Sequence, residues 1–175
     1  ISTINKIRFD PTNPCEDDID IRDIAHALSM MTRANGHFTE FYSVARHSVN
    51  CALEATARGY SKRVALFCLL HDSAESYIGD MTRPLKMHFP LFSEYEKKLQ
   101  KVIFSKYATL DIDDDEKEKV KSVDDSLLYH EFLCYHGDKL FDFTPEIHID
   151  VKDNSKNISE TEKEFLCMYE ALKIK

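Results

Sequence analysis

Glycine and proline are scarce in this chain, at four and five of its 175 residues. Since these residues are the strongest local interrupters of helices and strands, most of the chain is free to form long regular segments. Apolar residues recur every three to four positions over much of the sequence, which predicts helices. The five cysteines form no CxxC pair, and Cys51, Cys68 and Cys134 fall at apolar helical positions. We therefore expect these three to be core side chains rather than disulfide partners.

Long apolar runs and an excess of basic residues are also lacking. The longest apolar run, residues 64–70, is far shorter than the roughly 20 residues that a membrane-spanning helix requires. With 23 basic and 31 acidic residues the formal net charge is -8, which argues against a surface for nucleic-acid polymers or membranes. The N-terminus has no basic stretch followed by a hydrophobic one. We therefore expect a cytoplasmic protein.

The chain length and its helical periodicity together predict one all-α domain, a helical bundle spanning residues 1–175. Residues 1–20 are expected to form an irregular N-terminal arm. Residues 137–156 lose the helical period and alternate enough to predict a short hairpin or a loop over the core; whether this segment acts as a lid stays open. Ser159 and Glu162 have capping-box spacing at the start of the last helix. The predicted helices cover approximately residues 21–31, 39–58, 61–78, 92–107, 115–136 and 159–175.

Four residues of metal-binding types interrupt the apolar faces of three predicted helices. These residues are His47, the pair His71 and Asp72, and Asp124, which fits the apolar period better than Asp125. Burying an unpaired imidazole or carboxylate costs several kcal/mol, so one divalent cation shared by all four is the economical explanation. Two imidazoles and two carboxylates suit manganese, iron, cobalt, nickel or zinc, and the set lacks the thiolates of a closed structural zinc site.

Such a site leaves positions open for water, and Glu75 is the candidate to act on that water. It follows His71 by four residues and so shares its helix face. There it would orient a water molecule or move its proton. Taken singly, His47 would more often be a core histidine and Asp124 a solvated carboxylate, but their conjunction favours the metal site. The role of Glu131 stays open between a buried partner for Arg33 and a brace behind a metal ligand.

The same residues resemble a known family. His47, the doublet His71 and Asp72, and the distant Asp124 are similar to the H…HD…D signature of the HD-domain metal-dependent phosphohydrolases. Residues 23–52, 71–86 and 123–131 closely resemble a bacterial and phage branch related to the 5'-deoxynucleotidases and the small dNTP triphosphohydrolases. The resemblance covers roughly residues 7–135. It implies an all-helical fold, these four residues as metal ligands, and Glu75 as the residue that assists the attacking water.

The resemblance also implies how substrate is bound. Asp80 matches a position close to the sugar and phosphate of a nucleotide, and Arg33, His37 and Lys86 match positions that face phosphate oxygens. One departure concerns the residue directly after the arginine. Members of this branch usually carry an aromatic residue there, able to stack on a base, whereas this chain has Ala34.

These observations predict a phosphohydrolase that depends on one divalent transition metal and releases phosphate from deoxynucleoside 5'-monophosphates. Removal of triphosphate from a dNTP is the alternative within the class. A non-catalytic module that senses nucleotides or metals is the alternative from another class, but retention of Glu75 and Asp80 argues against it. A two-metal phosphodiesterase would need further ligands, for which His88 is the only spare candidate. The expected partner is a small nucleotide, and homo-oligomerisation stays open.

Overall fold

Helices form the regular structure in the computed structural model, which describes residues 1–108, 111–152 and 157–174. No strand occurs among these residues, where β-type pairing is limited to two isolated bridges, Ser2 with Arg8 and Thr32 with Ser43. The all-α prediction is therefore confirmed. Two short 3-10 turns, Glu16–Asp18 and Arg33–Gly36, flank the first helix. The α-helices are α1 (Ile21–Met30), α2 (Val44–Ala57), α3 (Lys62–Leu70), α4 (Glu75–Ile78), α5 (Arg83–Lys86), α6 (Pro90–Ala108), α7 (Asp114–Tyr135) and α8 (Ile158–Leu172).

Helices α2 and α3 form the centre of the bundle, and each is capped by a serine. The Ser43 hydroxyl accepts the N–H of Arg46, and the Ser61 hydroxyl accepts the N–H of Val64, which satisfies amide groups that have no partner within the helix. Gly59 reverses the chain between the two helices with a φ of +74°. The short connection makes α2 and α3 neighbours, while α1, α7 and α8 pack around them.

Three predicted helix starts differ from the observed ones. The second helix begins at Val44 rather than near residue 39, because the Thr39 N–H and hydroxyl both donate to the Tyr135 carbonyl and hold residues 39–43 outside the helix. The fourth helix begins at Pro90, a residue suited to the first helical position. The capping box of α8 uses Asn157 and Glu160 instead of Ser159 and Glu162.

The predicted helix over residues 61–78 is interrupted at residues 71–74, which form a turn between α3 and α4. The side-chain amide of Gln100 on α6 spans this interruption. Its Nε2 donates to the Leu70 carbonyl at 2.7 Å and its Oε1 accepts the Ala74 N–H at 3.0 Å. One side chain from α6 therefore satisfies backbone groups that the interruption leaves without helical partners.

The described part of the 137–156 segment, residues 137–152, is an irregular loop rather than a hairpin. His148 fixes it to α2 through hydrogen bonds from its backbone N–H and its Nδ1 to Glu54. On α7, Tyr129 stacks on Phe141 with centroids 5.8 Å apart. None of residues 137–152 lines the cavity described below, so this part of the segment does not cover it as a lid. Residues 153–156 lie outside the described residues.

The cysteines divide into two classes. All five are free thiols, and Cys51 and Cys68 are buried as predicted. The prediction for Cys134 is wrong, because this residue lies on the outer side of α7 and its side chain is exposed. Among the described residues, no helix has the length and apolar character needed to span a membrane.

Candidate metal centre and adjoining cavity

The four predicted ligands meet at one point between α2, α7 and the turn that follows α3. His47 Nε2 lies 3.3 Å from His71 Nε2 and 3.2 Å from Asp124 Oδ1. Asp72 Oδ2 lies 3.3 Å from His71 Nε2 and 3.9 Å from His47 Nε2. The distance from His71 Nε2 to Asp124 Oδ1 is 3.7 Å. Four donor atoms from three parts of the chain are thus brought together.

The second nitrogen of each imidazole is committed to an acceptor. His47 Nδ1 lies 2.7 Å from Glu131 Oε1, and His71 Nδ1 lies 2.8 Å from the Cys68 carbonyl oxygen. Because a carboxylate and a carbonyl only accept, both Nδ1 atoms carry the proton. In their neutral forms both Nε2 atoms therefore present lone pairs to the same point as the oxygens of Asp72 and Asp124. This arrangement is favourable only with positive charge between the four atoms.

Their spacing matches the first shell of a metal ion. Ligand atoms at about 2.1 Å from an ion lie about 3.0 Å apart at octahedral angles and about 3.4 Å apart at tetrahedral angles. The measured separations run from 3.2 to 3.9 Å, so a shift of a few tenths of an ångström suffices. Mixed nitrogen and oxygen donors fit a divalent transition metal.

The pKa shifts of His71 and Asp124 also indicate that the point between the four donor atoms attracts positive charge. Burial alone would lower the pKa of His71, but the carboxylates of Asp72 and Asp124 outweigh it and raise this pKa to about 9. Burial alone would raise the pKa of Asp124, yet the two imidazoles hold it well below its usual value. A metal ion would therefore compete with protons for this place.

Glu131 fills both of the roles that its sequence position left open. It is fully buried, and it accepts the His47 Nδ1 proton at 2.7 Å and the Tyr42 hydroxyl at 2.9 Å. Its other oxygen accepts Arg33 Nε at 3.3 Å. A carboxylate behind an imidazole fixes the tautomer and the orientation of the ring. Glu131 thus orients His47 and anchors Arg33.

Cys51, which the sequence pattern assigned only to the core, lies next to the predicted ligands. Ligand atoms of His47, Cys51 and His71 lie within 4.8 Å of one another and form a group that could hold a metal ion. However, Cys51 Sγ is 3.4 Å from His47 Nε2 and only 4.0 Å from Nδ1. The Nε2 lone pair points away from Nδ1, so an atom in line with it would lie much farther from Nδ1 than from Nε2. The thiol therefore packs beside the imidazole, and Asp72 and Asp124 are the better partners.

Glu75 lines the same cavity as Asp72 and Asp124 and is 7% exposed. Burial, followed by the neighbouring charges of Asp72 and Asp80, raises the pKa of its carboxyl to about 10. Its Oε2 is buried, and none of the described residues forms a hydrogen bond with it. A buried carboxyl with a high affinity for a proton and one free oxygen is suited to exchange a proton with a bound molecule.

A cavity of 320 Å³ opens from this cluster. Three of the four predicted substrate-binding residues line it: Arg33, Asp80 and Lys86. Arg33 extends toward Asp72 at 3.5 Å and Asp124 at 3.7 Å. Lys86 Nζ pairs with Glu96 at 2.6 Å, and Glu96 is not part of the cavity wall. The structure does not bring the fourth residue, His37, to the cavity.

The position of His37 follows from the local backbone. Its backbone N–H donates to the Ala34 carbonyl and ends the 3-10 turn, and its side chain is exposed. Ala34 adopts a left-handed conformation with φ of 50°. This conformation directs Ala34, rather than His37, to the cavity wall.

Two curated relatives each match about half of the chain. No family model matches. The chain is 40% identical over 92 residues to the uncharacterized protein YfdR of Escherichia coli, which is 53% of this chain and 49% of that protein. It is 44% identical over 84 residues to an uncharacterized protein of Rhodobacter capsulatus, which is 45% of this chain and 42% of that protein. The chain thus spans about half the length of the curated relatives that it matches.

Several residues of the site were not found from the sequence. Leu128 and Phe132 follow Asp124 on α7 by four and eight residues and line the same cavity. This i, i+4, i+8 spacing was available as a signal. Gln100 and Glu96 come from α6, far along the chain from the doublet, and no local pattern connects them to it.

Proposed function

We propose that this protein is a divalent-metal-dependent phosphohydrolase of the HD type that releases phosphate from deoxynucleoside 5'-monophosphates. The observation that carries the proposal is the convergence of His47, His71, Asp72 and Asp124 while both Nδ1 atoms are held by other acceptors. A divalent cation bound there would lower the pKa of water and stabilise negative charge on phosphate oxygens.

The remaining steps fall to side chains around the cluster. Glu75, in its ionised form, takes the proton of the attacking water at Oε2. The positive charge of the cation favours that ionised form. Arg33 offers a planar fork to the phosphate oxygens from a position anchored by Glu131. Lys86 adds a second positive charge after turning from Glu96.

The cavity of 320 Å³ lies within the range of about 300–1,000 Å³ for ligand sites, so it has room for a small nucleotide. Removal of triphosphate from a dNTP stays the alternative within the class. A non-catalytic sensing module is less consistent with a buried Glu75 that has a free oxygen and a strongly raised pKa.

The test is a screen of the purified protein, supplemented with each candidate metal, against nucleoside mono-, di- and triphosphates. Free phosphate and free triphosphate are measured separately. Glu75→Gln is expected to keep its metal and lose about 10²- to 10⁴-fold in rate, whereas His71→Ala loses both metal and turnover. Equal activity of the parent and both variants would refute the assignment.

Adjacent aspartates on α7 provide a matched control. Asp124→Asn removes a proposed ligand and is expected to abolish metal binding. Asp125→Asn makes the same chemical change one position away, where the carboxylate pairs with Lys121 on the surface. Metal content measured after dialysis should fall only in the first variant. Equal loss in both variants would show that α7 supplies no specific ligand.

A further inference from the structure

The cavity beside the ligand cluster changes character along its length. Where the proposed metal ligands lie, its wall carries charged groups, among them Arg33, Asp72 and Asp124. Along α7, the residues one and two turns beyond Asp124 are Leu128 and Phe132, and both face this cavity while remaining half-buried. Ala34 and Met81 also line it and are half-buried. The site therefore has a charged end and an apolar end.

This gradient restricts the class of ligand. Inorganic phosphate or a simple sugar phosphate is polar throughout and gains nothing from an apolar wall. A molecule with a phosphate at one end and a flat apolar group at the other matches both ends. Each turn of α7 advances about 5.4 Å, so Leu128 and Phe132 lie at the distance from Asp124 where the distal part of a phosphate monoester would lie.

Phe132 is held in a defined orientation. Its ring meets Phe38 edge to face, with centroids 5.0 Å apart and an interplanar angle of 80°. Phe38 is itself buried, at 8% exposed, and so supplies a fixed support. An aromatic ring held by the core and half-open to a cavity is a ready surface for stacking.

We propose that Leu128 and Phe132 form the wall that receives the nucleobase, and that Phe132 supplies the aromatic contact that Ala34 cannot. The inference rests on the proposed function for the identity of the phosphate end. Because stacking on a ring depends on a π-face and not on a hydrogen-bond pattern, the wall selects base-bearing phosphates over base-free ones without choosing strongly among the bases.

The test compares dAMP with 2-deoxyribose 5-phosphate, which has the same phosphate and sugar but no base. Loss of a stacking residue costs about 5- to 150-fold per base. Phe132→Ala is therefore expected to raise KM for dAMP by a factor in this range, with kcat little changed and no effect on 2-deoxyribose 5-phosphate. Phe132→Tyr, which keeps the ring, should restore the parent KM.

Leu133→Ala is the matched control, because Leu133 is the next residue of α7, is 38% exposed and does not line the cavity. It should leave both substrates unaffected. A thermal unfolding curve for each variant verifies that it is folded. Equal effects of Phe132→Ala on the two phosphates, or no effect on either, would overturn the proposal.

A binding measurement separates this inference from the proposed function. Calorimetric titration of dAMP and of 2-deoxyribose 5-phosphate into the Glu75→Gln variant, with and without Phe132→Ala, requires no turnover. Tighter binding of dAMP that disappears with Phe132→Ala supports the wall even if the parent hydrolyses no ester. Equal affinity for the two phosphates in the presence of Phe132 refutes the wall, even if the parent is an active phosphohydrolase.

Discussion

Glu131→Gln tests whether the proposed metal site depends on the residues behind its ligands. Glutamine has nearly the same shape as glutamate, so the substitution removes a charge without opening a cavity. In the parent, the Glu131 carboxylate accepts hydrogen bonds from His47 at 2.7 Å, Tyr42 at 2.9 Å and Arg33 at 3.3 Å. A glutamine side chain has one oxygen to accept and an amide that only donates. At least one of these three donors must therefore lose its acceptor.

The expected magnitude follows from the position of Glu131 relative to His47. Loss of a carboxylate behind a metal-bound imidazole typically weakens metal binding by about 10- to 100-fold, or about 1.4–2.7 kcal/mol. The upper part of this range is expected here, because the side chains of Glu131 and His47 are both fully buried and water cannot replace the lost acceptor. Anchoring of Arg33 is also weakened, so KM for substrate should rise in addition.

The assay is a competition titration of the metal against a chromophoric chelator, followed by steady-state kinetics at saturating metal. Glu116→Gln provides the control. Glu116 lies on the same helix α7 and is ion-paired with Arg63 at 2.6 Å, but it is remote from the cluster. The Glu116→Gln variant should lose stability and keep the metal affinity of the parent. Unchanged metal affinity in Glu131→Gln would refute the reasoning that the carboxylate orients His47.

Three further outcomes are expected. Gln100→Leu should cost about 1–3 kcal/mol of unfolding free energy and weaken metal binding, since it frees the turn that carries His71 and Asp72. Glu94→Leu, an exposed change on the same helix, should do neither, as denaturant titration and metal titration can show. Burial would raise the pKa of Glu54, but hydrogen bonds from Arg58 and His148 outweigh it and lower this pKa below its usual value of 4.5. The ionised carboxylate therefore stabilises the fold fully above pH 4.5, and this contribution is lost as the pH falls through the lowered pKa. Glu54→Gln should accordingly be less stable than the parent at pH 7, by about 1–3 kcal/mol, with the difference shrinking toward pH 3 in urea titrations, and a constant difference would contradict the assignment. Removal of metal by a chelator should lower Tm by about 5–10 °C relative to protein with free metal at about 100 times its Kd, because binding at that ratio adds about 2.7 kcal/mol of stability. Calorimetry that shows no change in Tm would argue against a bound metal.

The ligand cluster could be predicted from the sequence because its members break a local pattern. His47 and Asp124 each occupy a position where the helical period calls for an apolar residue. The doublet at residues 71 and 72 follows a run that is buried throughout, residues 64–70. These deviations are costly unless a partner compensates them, which makes them informative one helix at a time. The structure brings all four side chains to one point, as the pattern indicated.

The interruption after Leu70 could not be predicted, because its cause lies elsewhere in the chain. Residues 61–78 contain no proline, and their apolar period continues through the turn. The compensating group is Gln100, thirty positions away from Leu70 on α6. Similarly, the start of α2 at Val44 depends on the carbonyl of Tyr135. Local propensity predicts where helices form, but tertiary hydrogen bonds determine where they end.

The formal charges around the cluster explain why one divalent cation suits this site. Asp72, Asp124 and Glu131 contribute three negative charges, and Arg33, which lies within 3.3–3.7 Å of each of them, contributes one positive charge. With both imidazoles neutral, the sum over these four side chains is two negative charges. A divalent ion cancels this charge, whereas a monovalent ion would leave a net negative charge in a largely buried site. A cation at this point would thus offset the repulsion that the aspartates exert on a phosphate, which is what the proposed function requires.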